Sequence, residues 1–255
     1  MKKMLAGILA AAMVFALAAC GGDSNSSETT DKNETAVQTE ATAAPTETTE
    51  AAPETAYEVT DTRVVNWVSS TGTVRVQTIV EITNTGSANL FLSGGSFDLE
   101  DAEGNLVDNC SMASTFPDVI APGEKGYMYE ETTLDAPVDG ELTAIPRLDI
   151  KEATVDLIRY DVTDTKLSED KYGYLKILGR VQNNTDEVGK STYVVAFLYD
   201  ENGACIGQMF TILTDDLAAG DQSGFEMSGL SLPDNVTVDA VADIVYYAYP
   251  MQMQF

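Results

Sequence analysis

The chain has 255 residues, with 14 basic side chains against 41 acidic ones, a formal net charge of −27 and no histidine. Such an acidic surface repels the phosphate backbone, so nucleic acid is excluded as a partner, whereas cations, basic proteins and neutral glycans remain. The lack of histidine excludes a Ser-His-Asp triad, a Cys-His pair and zinc sites that need imidazole. No cofactor is indicated.

The N-terminal segment begins with Lys2 and Lys3, continues as an uncharged apolar run to Ala19 and ends at Cys20. The run is too short to span a bilayer comfortably, which favours a signal peptide, residues 1–19, over a transmembrane helix. Residues 17–20 (Leu-Ala-Ala-Cys) resemble the lipobox of bacterial lipoproteins, in which the cysteine is acylated and the peptide is cut before it. The resemblance implies that Cys20 anchors the protein to a membrane.

Residues 20–56 comprise this cysteine and the linker that follows it. It consists almost entirely of Thr, Glu, Ala, Ser, Gly, Asn and Asp and has no aromatic side chain. Because it buries too little apolar surface to offset its ordering entropy, we expect it to be a disordered stalk. The Thr/Glu-rich stalk and the Gly-Gly after Cys20 are similar to those of lipoproteins from Gram-positive anaerobes. That similarity implies the extracytoplasmic face of the cell membrane.

From Tyr57 onward apolar and polar residues alternate, turn signals recur at short intervals, and no long stretch has helical periodicity. The alternation over residues 74–82, in which Ile79 and Glu81 lie on the more polar side, predicts a half-buried strand. Residues 175–182 show the same pattern and predict a second strand of this kind. An all-β fold follows from these patterns.

The two strands belong to an internal repeat. Aligned pairs are Val76 with Leu175, Ile82 with Val181, Asn84 with Asn183, Leu99 with Leu198, and residues 120–124 with 217–221. Each repeat spans roughly 100 residues, the size of a small β-sandwich. We therefore predict two tandem Ig-like β-sandwich domains, residues 57–152 and 153–255. The short join between them predicts a fixed end-to-end arrangement.

Residues 97–104 (Phe-Asp-Leu-Glu-Asp-Ala-Glu-Gly) and 196–203 (Ala-Phe-Leu-Tyr-Asp-Glu-Asn-Gly) each end a strand and open a turn with Asp that Gly closes. The pattern resembles the FxLYD-type domain of bacterial lipoproteins. The first repeat has Glu100 in place of the Tyr, and the second has Ala196 in place of the Phe. The resemblance implies a small β-sandwich whose aromatic and leucine side chains point inward, and no common ligand chemistry.

The first of these turns is rich in oxygen donors, and Asp101 and Glu103 are its candidate Ca²⁺ ligands. Alternation along the strand separates Asp98 and Glu100 from the turn residues, and the spacing of an EF-hand loop is absent. A solvated hairpin tip is therefore favoured over a metal site.

Two carboxylate pairs, residues 130–131 and 215–216, could be considered as the acid and base of a glycoside hydrolase. Neighbouring residues on a strand point to opposite faces, so neither pair converges and no catalytic residue is assigned.

Cys110 and Cys205 are either two separate buried thiols, the favoured interpretation, or a disulfide.

The C-terminal residues continue the alternation beyond the last predicted strand, which ends at Tyr249 and is expected to be buried on one face. Met251, Met253 and Phe255 either cover the rim of their own domain or form an apolar strip that binds a partner. Trp67, the only tryptophan, is expected in the core, with a sugar-stacking platform as the alternative.

Together these patterns predict a membrane-anchored extracytoplasmic lipoprotein that is a non-catalytic binding or spacer module. Its expected partners are the membrane, through Cys20, and an envelope protein or glycan. The alternative is a cell-envelope enzyme or inhibitor that acts on wall glycan or peptide.

Overall fold

The computed structural model describes residues 54–69, 71–138 and 140–251. These residues form antiparallel strands and one short 3₁₀ turn, Val238–Ala240, so the predicted all-β fold class is confirmed. No helix within the described ranges is long and apolar enough to cross a membrane. Cys20, the predicted signal peptide and most of the linker lie outside these residues.

The first sandwich consists of eight strands. They are β1 Tyr57–Val68, β2 Val74–Asn84, β3 Leu90–Glu100, β4 Leu106–Cys110, β5 Ser114–Phe116, β6 Val119–Ile120, β7 Lys125–Leu134 and β8 Thr143–Glu152. One sheet has the order β1-β2-β7-β5, and the other has the order β4-β3-β6 with β8 paired to β3. We call the first of these the inner sheet because it faces the second sandwich.

The second sandwich consists of six strands. They are β9 Asp161–Glu169, β10 Leu175–Gln182, β11 Thr192–Tyr199, β12 Cys205–Leu213, β13 Gln222–Ser228 and β14 Asp243–Pro250. Its inner sheet has the order β12-β11-β14, and its outer sheet has the order β13-β10-β9. Strands that the sequence repeat aligns occupy equivalent places, since β1-β2-β7 corresponds to β9-β10-β13 and β4-β3-β8 corresponds to β12-β11-β14.

Each sandwich encloses its own apolar core, and alternation along the strands fills it. In the first, Val76, Val80 and Ile82 of β2 pack with Phe97 and Leu99 of β3. The second core contains Leu175, Ile177 and Val181 of β10 and Ala196 and Leu198 of β11. β10 has the half-buried pattern that its sequence predicts, because Leu178 and Arg180 on its other face are exposed.

A buried asparagine holds the same corner in both sandwiches. Asn84 donates to the carbonyls of Ala88 and Ile120, at 2.8 and 2.9 Å, and its Oδ1 accepts from the amide of Gly86. Asn183 donates to the carbonyls of Glu187 and Leu217, at 2.7 and 2.9 Å, and its Oδ1 accepts from the amide of Thr185. These bonds tie the same turns of the chain together in each sandwich, which explains why both repeats carry the residue.

The two sandwiches stack face to face, so the prediction of an end-to-end arrangement is wrong. The inner sheets enclose a third apolar cluster that both domains share. It buries the second face of β2, where Gln77, Ile79 and Glu81 are 1%, 2% and 6% exposed. The prediction that β2 is half-buried is wrong for this reason. The prediction that β14 is buried on one face only is also wrong. Tyr247 and Tyr249 of β14 are buried in this cluster, and Ala248 lies in the second core.

The start of the first sandwich differs from the boundary that the sequence predicts. Residues 54–56, which sequence assigns to the linker, are bound to the loop after β2, where the carbonyls of Glu54 and Ala56 accept bonds from the amides of residues 85–88. Cys110 lies against the first core, whereas Cys205 lies in the shared cluster, and both are free thiols. They are therefore two separate thiols.

Candidate functional site

The junction between the sandwiches is built from aromatic side chains of both domains. Tyr127 of β7 stacks on Phe197 of β11, with ring centroids 3.5 Å apart, and Tyr247 of β14 packs edge-on against both rings. The remaining buried members of this junction cluster are Ile79, Phe116, Val195, Tyr199, Cys205 and Tyr249. Aromatic pairs in such geometry add to the free energy of burial, so this cluster holds the two domains together.

A buried polar network lies at the centre of the junction. Tyr199 donates to Glu81 Oε2 at 2.7 Å, and the Tyr127 hydroxyl lies 2.6 Å from that of Tyr199. Lys125 Nζ and the Thr60 hydroxyl each lie 2.9 Å from Glu81 Oε1. Because the hydroxyl hydrogen of Tyr199 goes to the carboxylate, Tyr127 is the donor between the two tyrosines. Every oxygen of the buried carboxylate is thereby satisfied.

This network decides the ionisation of its members. Burial by itself raises the pKa of Glu81, but bonds from Lys125, Tyr199 and Thr60 outweigh it and hold the pKa below its ordinary value. Burial raises the pKa of both Tyr127 and Tyr199 far above the ordinary value. Near neutral pH the site therefore contains one carboxylate paired with one ammonium group and two neutral phenols.

Arg159, in the segment that connects the sandwiches, closes the junction at one side. It donates to the carbonyl of Val119 and to Glu124 Oε2, the latter at 3.1 Å. Its guanidinium lies 5.6 Å from the ring centroid of Tyr247 and 5.8 Å from that of Tyr249. The connecting segment is thus bonded to the first domain and stacked on the second.

Two grooves open to solvent along the junction. The Trp67 groove, of about 450 Å³, lies between the β1–β2 turn and two loops of the second domain. It is lined by Trp67, Ser69, Thr71, Arg75, Tyr172, Gly173, Tyr174, Leu175, Gly229, Leu230, Leu232, Pro233, Asp234, Val236 and Thr237. Trp67 is only partly buried, so it is not the core residue that sequence favours, and its ring contributes to this groove.

The Phe210 groove, of about 510 Å³, lies at another part of the junction. It is lined by Ser114, Thr115, Phe116, Asp118, Tyr193, Phe210, Ile212, Tyr249 and Met251. Phe210 is 49% exposed and Met251 is 45% exposed. Burial raises the pKa of Asp118 to about 6, against the opposing effect of Arg159. The groove therefore combines exposed apolar groups with a carboxyl group that titrates in a mildly acidic range.

The predicted apolar strip is only partly described. The backbone amide of Met251 donates to the carbonyls of Lys190 and Ser191, which holds this residue at the end of β14. Its side chain lines the Phe210 groove on the same side as Tyr249, as alternation requires. Met253 and Phe255 lie outside the described residues.

The candidate Ca²⁺ ligands do not form a site. Asp101 Oδ1 accepts bonds from the amides of Glu103 and Asn105, and both of its carboxylate oxygens bond the Asn105 side chain. Glu103 is exposed at the tip of the same turn. Over the ranges that the structure describes, no three His, Cys, Asp or Glu side chains are placed to hold a metal ion. The turn carboxylate caps backbone amides, as Asp200 does in the second repeat.

The two carboxylate pairs remain apart. Glu131 forms an ion pair with Arg75 at 2.5 Å, and Glu130, on the adjacent position of β7, has a pKa raised by burial and by Glu131. Asp215 and Asp216 are exposed in a loop. Neither pair provides two carboxyl groups that face one substrate position, which hydrolysis of a glycosidic bond requires.

No protein-family model matches the chain, and no curated protein matches it.

Sequence reasoning missed the junction, although one signal indicates it. β11 reads Thr-Tyr-Val-Val-Ala-Phe-Leu-Tyr, an almost unbroken apolar run, and nearly all of it is buried. Such a run is typical of strands covered on both faces. A second signal is a difference between the two repeats. Apolar and aromatic side chains of β11 stand where β3 has polar ones on its solvent face. The aligned pairs are Val195 with Ser96, Phe197 with Asp98 and Tyr199 with Glu100.

Proposed function

We propose that this protein is a lipoprotein of the FxLYD type, held at the extracytoplasmic face of a cell membrane by acylated Cys20, where it is a non-catalytic binding module. The lipobox-like residues 17–20 and the acidic linker support the location. The linker would carry the folded part away from the bilayer. Two sandwiches that share a buried cluster would present one composite surface to a partner.

One observation carries the binding role: the stacked sandwiches expose aromatic and apolar side chains in two grooves at their junction. Tyr172 in the Trp67 groove is 72% exposed, and Phe210 in the Phe210 groove is 49% exposed. These side chains lie beside a junction that already buries its own aromatic cluster, so folding does not account for them. Exposed apolar groups that gather in concave surfaces are typical of interaction sites.

The alternative of an enzyme has less support. Acidic side chains in and near the junction are engaged in structural bonds, with Glu81 bound to Lys125, Glu131 to Arg75 and Glu124 to Arg159. A general acid or base needs a proton-accepting atom that is free to face substrate. Asp118 has the carboxyl group whose pKa burial raises most. Among the described residues that line its groove, no other has a carboxyl group.

The anchor is tested by partitioning the expressed full-length protein between water and a detergent that separates on warming. We expect the wild type in the detergent phase and Cys20→Ser in the aqueous phase, since removal of the acyl chains removes the membrane affinity. Cys110→Ser is the matched control and should partition as the wild type. A wild-type protein found in the aqueous phase would contradict the proposal.

The strip is tested by Met251→Ser combined with deletion of residues 252–255. If Met251, Met253 and Phe255 bind an envelope protein, the free energy of unfolding should change by less than about 0.5 kcal/mol while the crosslinked complex on whole cells is lost. Met112→Ser is the control, because Met112 is 85% exposed elsewhere on the first domain. A clear fall in stability would instead show that these side chains cover their own domain.

A further inference from the structure

The Trp67 groove contains a cluster of exposed aromatic and apolar side chains contributed by both domains. Tyr172 is 72% exposed, Leu230 is 62% exposed and Tyr174 is 38% exposed, and the partly buried ring of Trp67 lies with them in the groove lining. Trp67 belongs to the first domain and the other three to the second. The cluster therefore exists only because the two sandwiches are stacked.

These side chains are presented by rigid turns. In the β9–β10 turn, Asp170 Oδ1 accepts bonds from the amides of Tyr172 and Tyr174, at 2.8 and 3.0 Å. Gly173 between them has a φ of +86°, a conformation that other residues adopt at a cost. A turn whose backbone is already fixed loses little further backbone entropy when a ligand binds to its side chains.

Polar groups that can hydrogen-bond a ligand stand beside these rings. The hydroxyl groups of Ser69 and Thr71 lie 3.0 Å from each other in the β1–β2 turn, and Thr237 lines the opposite wall. Arg75, which is directly opposite Trp67 in the register of β1 and β2, brings a guanidinium group to the same face. Flat apolar surfaces interspersed with hydroxyl and planar charged groups match a sugar ring, which has an apolar C–H face and a rim of hydroxyl groups.

Charge selects an uncharged ligand. Of the described residues that line the groove, only Arg75 and Asp234 are charged, and their charges are opposite. Arg75 is also paired with Glu131, and the chain as a whole has a net charge of −27. An anionic ligand would be repelled by the chain as a whole, and a cationic one would find a single carboxylate in the groove.

The backbone of the groove argues against an extended peptide as the ligand. Peptides that bind along a sheet need a free strand edge. Here the turn amides of Ser69, Gly72, Asp170 and Gly173 are bonded to carbonyls within their own turns. These turns therefore offer a ligand their side chains. The groove volume of about 450 Å³ lies in the range of small-ligand sites.

We propose that the Trp67 groove binds a neutral oligosaccharide segment of an envelope glycan, with Trp67 and Tyr172 stacking on sugar faces and with Arg75, Thr71 and Asp234 bonding their hydroxyl groups. The inference rests on the proposed function, which places the protein beside such polymers. It deepens that function by assigning a ligand class to one groove.

The experiment is a titration of the chain from residue 20 onward, carrying Cys20→Ser, with three uncharged probes: chitotetraose, cellotetraose and maltotetraose. Trp67 is the only tryptophan, so any change in tryptophan emission reports on this groove. We expect a saturable change with at least one probe at submillimolar to millimolar concentration. Tyr172→Ala should weaken that binding by about tenfold or more while the midpoint of thermal unfolding stays unchanged, because the side chain is largely exposed.

Two controls make the result specific. Tyr57→Ala removes another exposed tyrosine, at the far end of β1 from Trp67, and Leu106→Ala removes an exposed apolar side chain of β4; both should bind as the parent does. The inference is overturned if no probe gives a saturable change or if Tyr172→Ala binds as tightly as the parent. The titrated chain has no acyl anchor. A negative titration therefore leaves the membrane-anchor proposal intact, and a negative result in detergent partitioning leaves the titration valid.

Discussion

Tyr127 and Phe197 stack across the domain junction with their rings 15° from parallel, although they lie on strands of two different sandwiches. Both rings are fully buried. The hydroxyl group of Tyr127 reaches Tyr199, two positions from Phe197 on the same face of β11. The pair therefore joins the packing of the junction to its buried polar network. It lies where the two inner sheets meet and shields their facing surfaces from solvent.

Replacement of Phe197 by Ala should destabilise the whole folded part. We expect a loss of about 3–5 kcal/mol in the free energy of unfolding, because a buried ring is removed and Tyr127 loses its partner. Urea denaturation followed by circular dichroism measures the effect. Leu178→Ala on the outer face of β10 is the control and should cost less than about 1 kcal/mol, since Leu178 is 39% exposed. A loss at Phe197 no larger than at Leu178 would contradict a structural role for the junction.

Glu81→Gln should change how stability depends on pH. The folded pKa of Glu81 is depressed, so its contribution is present above the ordinary value of 4.5 and is lost as pH falls through the folded value. We expect a loss of about 1–3 kcal/mol at pH 7 and a shallower decline of stability in acid. Urea unfolding across a pH series measures both. Glu226→Gln, in an exposed pair with Lys176, should leave the profile unchanged. Parallel acid profiles for the wild type and Glu81→Gln would refute the prediction.

The two corner asparagines should have similar and independent effects. Asn84→Ala and Asn183→Ala each remove two hydrogen bonds to backbone carbonyls and one from a backbone amide, so we expect a loss of about 1–3 kcal/mol for either change. Because the sites lie in different sandwiches, the double variant should show the sum. Asn202→Ala, at an exposed turn, is the control. Chemical denaturation of the four proteins checks the prediction, which fails if either corner variant resembles Asn202→Ala.

Asp118→Asn should stabilise the protein at neutral pH. The folded pKa of Asp118 is raised from 3.8 to about 6, so the folded state holds this proton more tightly, and stability falls as pH rises through that interval. The amide removes this dependence and should add about 1 kcal/mol at pH 7 after allowance for partial exposure. Thermal unfolding between acid and neutral pH measures it, with Asp215→Asn in an exposed loop as the control. A variant that is no more stable than the wild type at pH 7 would contradict the assignment.

Much of each sandwich could be predicted from local pattern. The alternation over residues 175–182 places Leu175, Ile177 and Val181 inward, and the structure agrees. The turn that begins at Asp101 closes with Gly104 at a φ of +82°, as the sequence requires. These features depend on backbone geometry and on neighbours close in sequence, so the residues themselves carry the information.

The motif residues show where this information ends. Phe97 and Leu99 point into their own sandwich, as expected, and so does Leu198. Phe197 and Tyr199 point the other way, into the junction, where Tyr199 donates to Glu81 of the other domain. The alternation says that the two sets occupy opposite faces, but it does not say what covers the second face.

The sequence by itself determined the all-β class and the inward-facing residues of each sheet, because alternation and turn chemistry act over a few residues. Only the tertiary structure decided that the sandwiches stack on their inner sheets, that Trp67 lines a groove rather than a core, and that Glu81 is a buried anion with three donors. Each of these depends on which surfaces meet between residues far apart in the chain, and that choice follows from the shape and polarity of whole sheet faces.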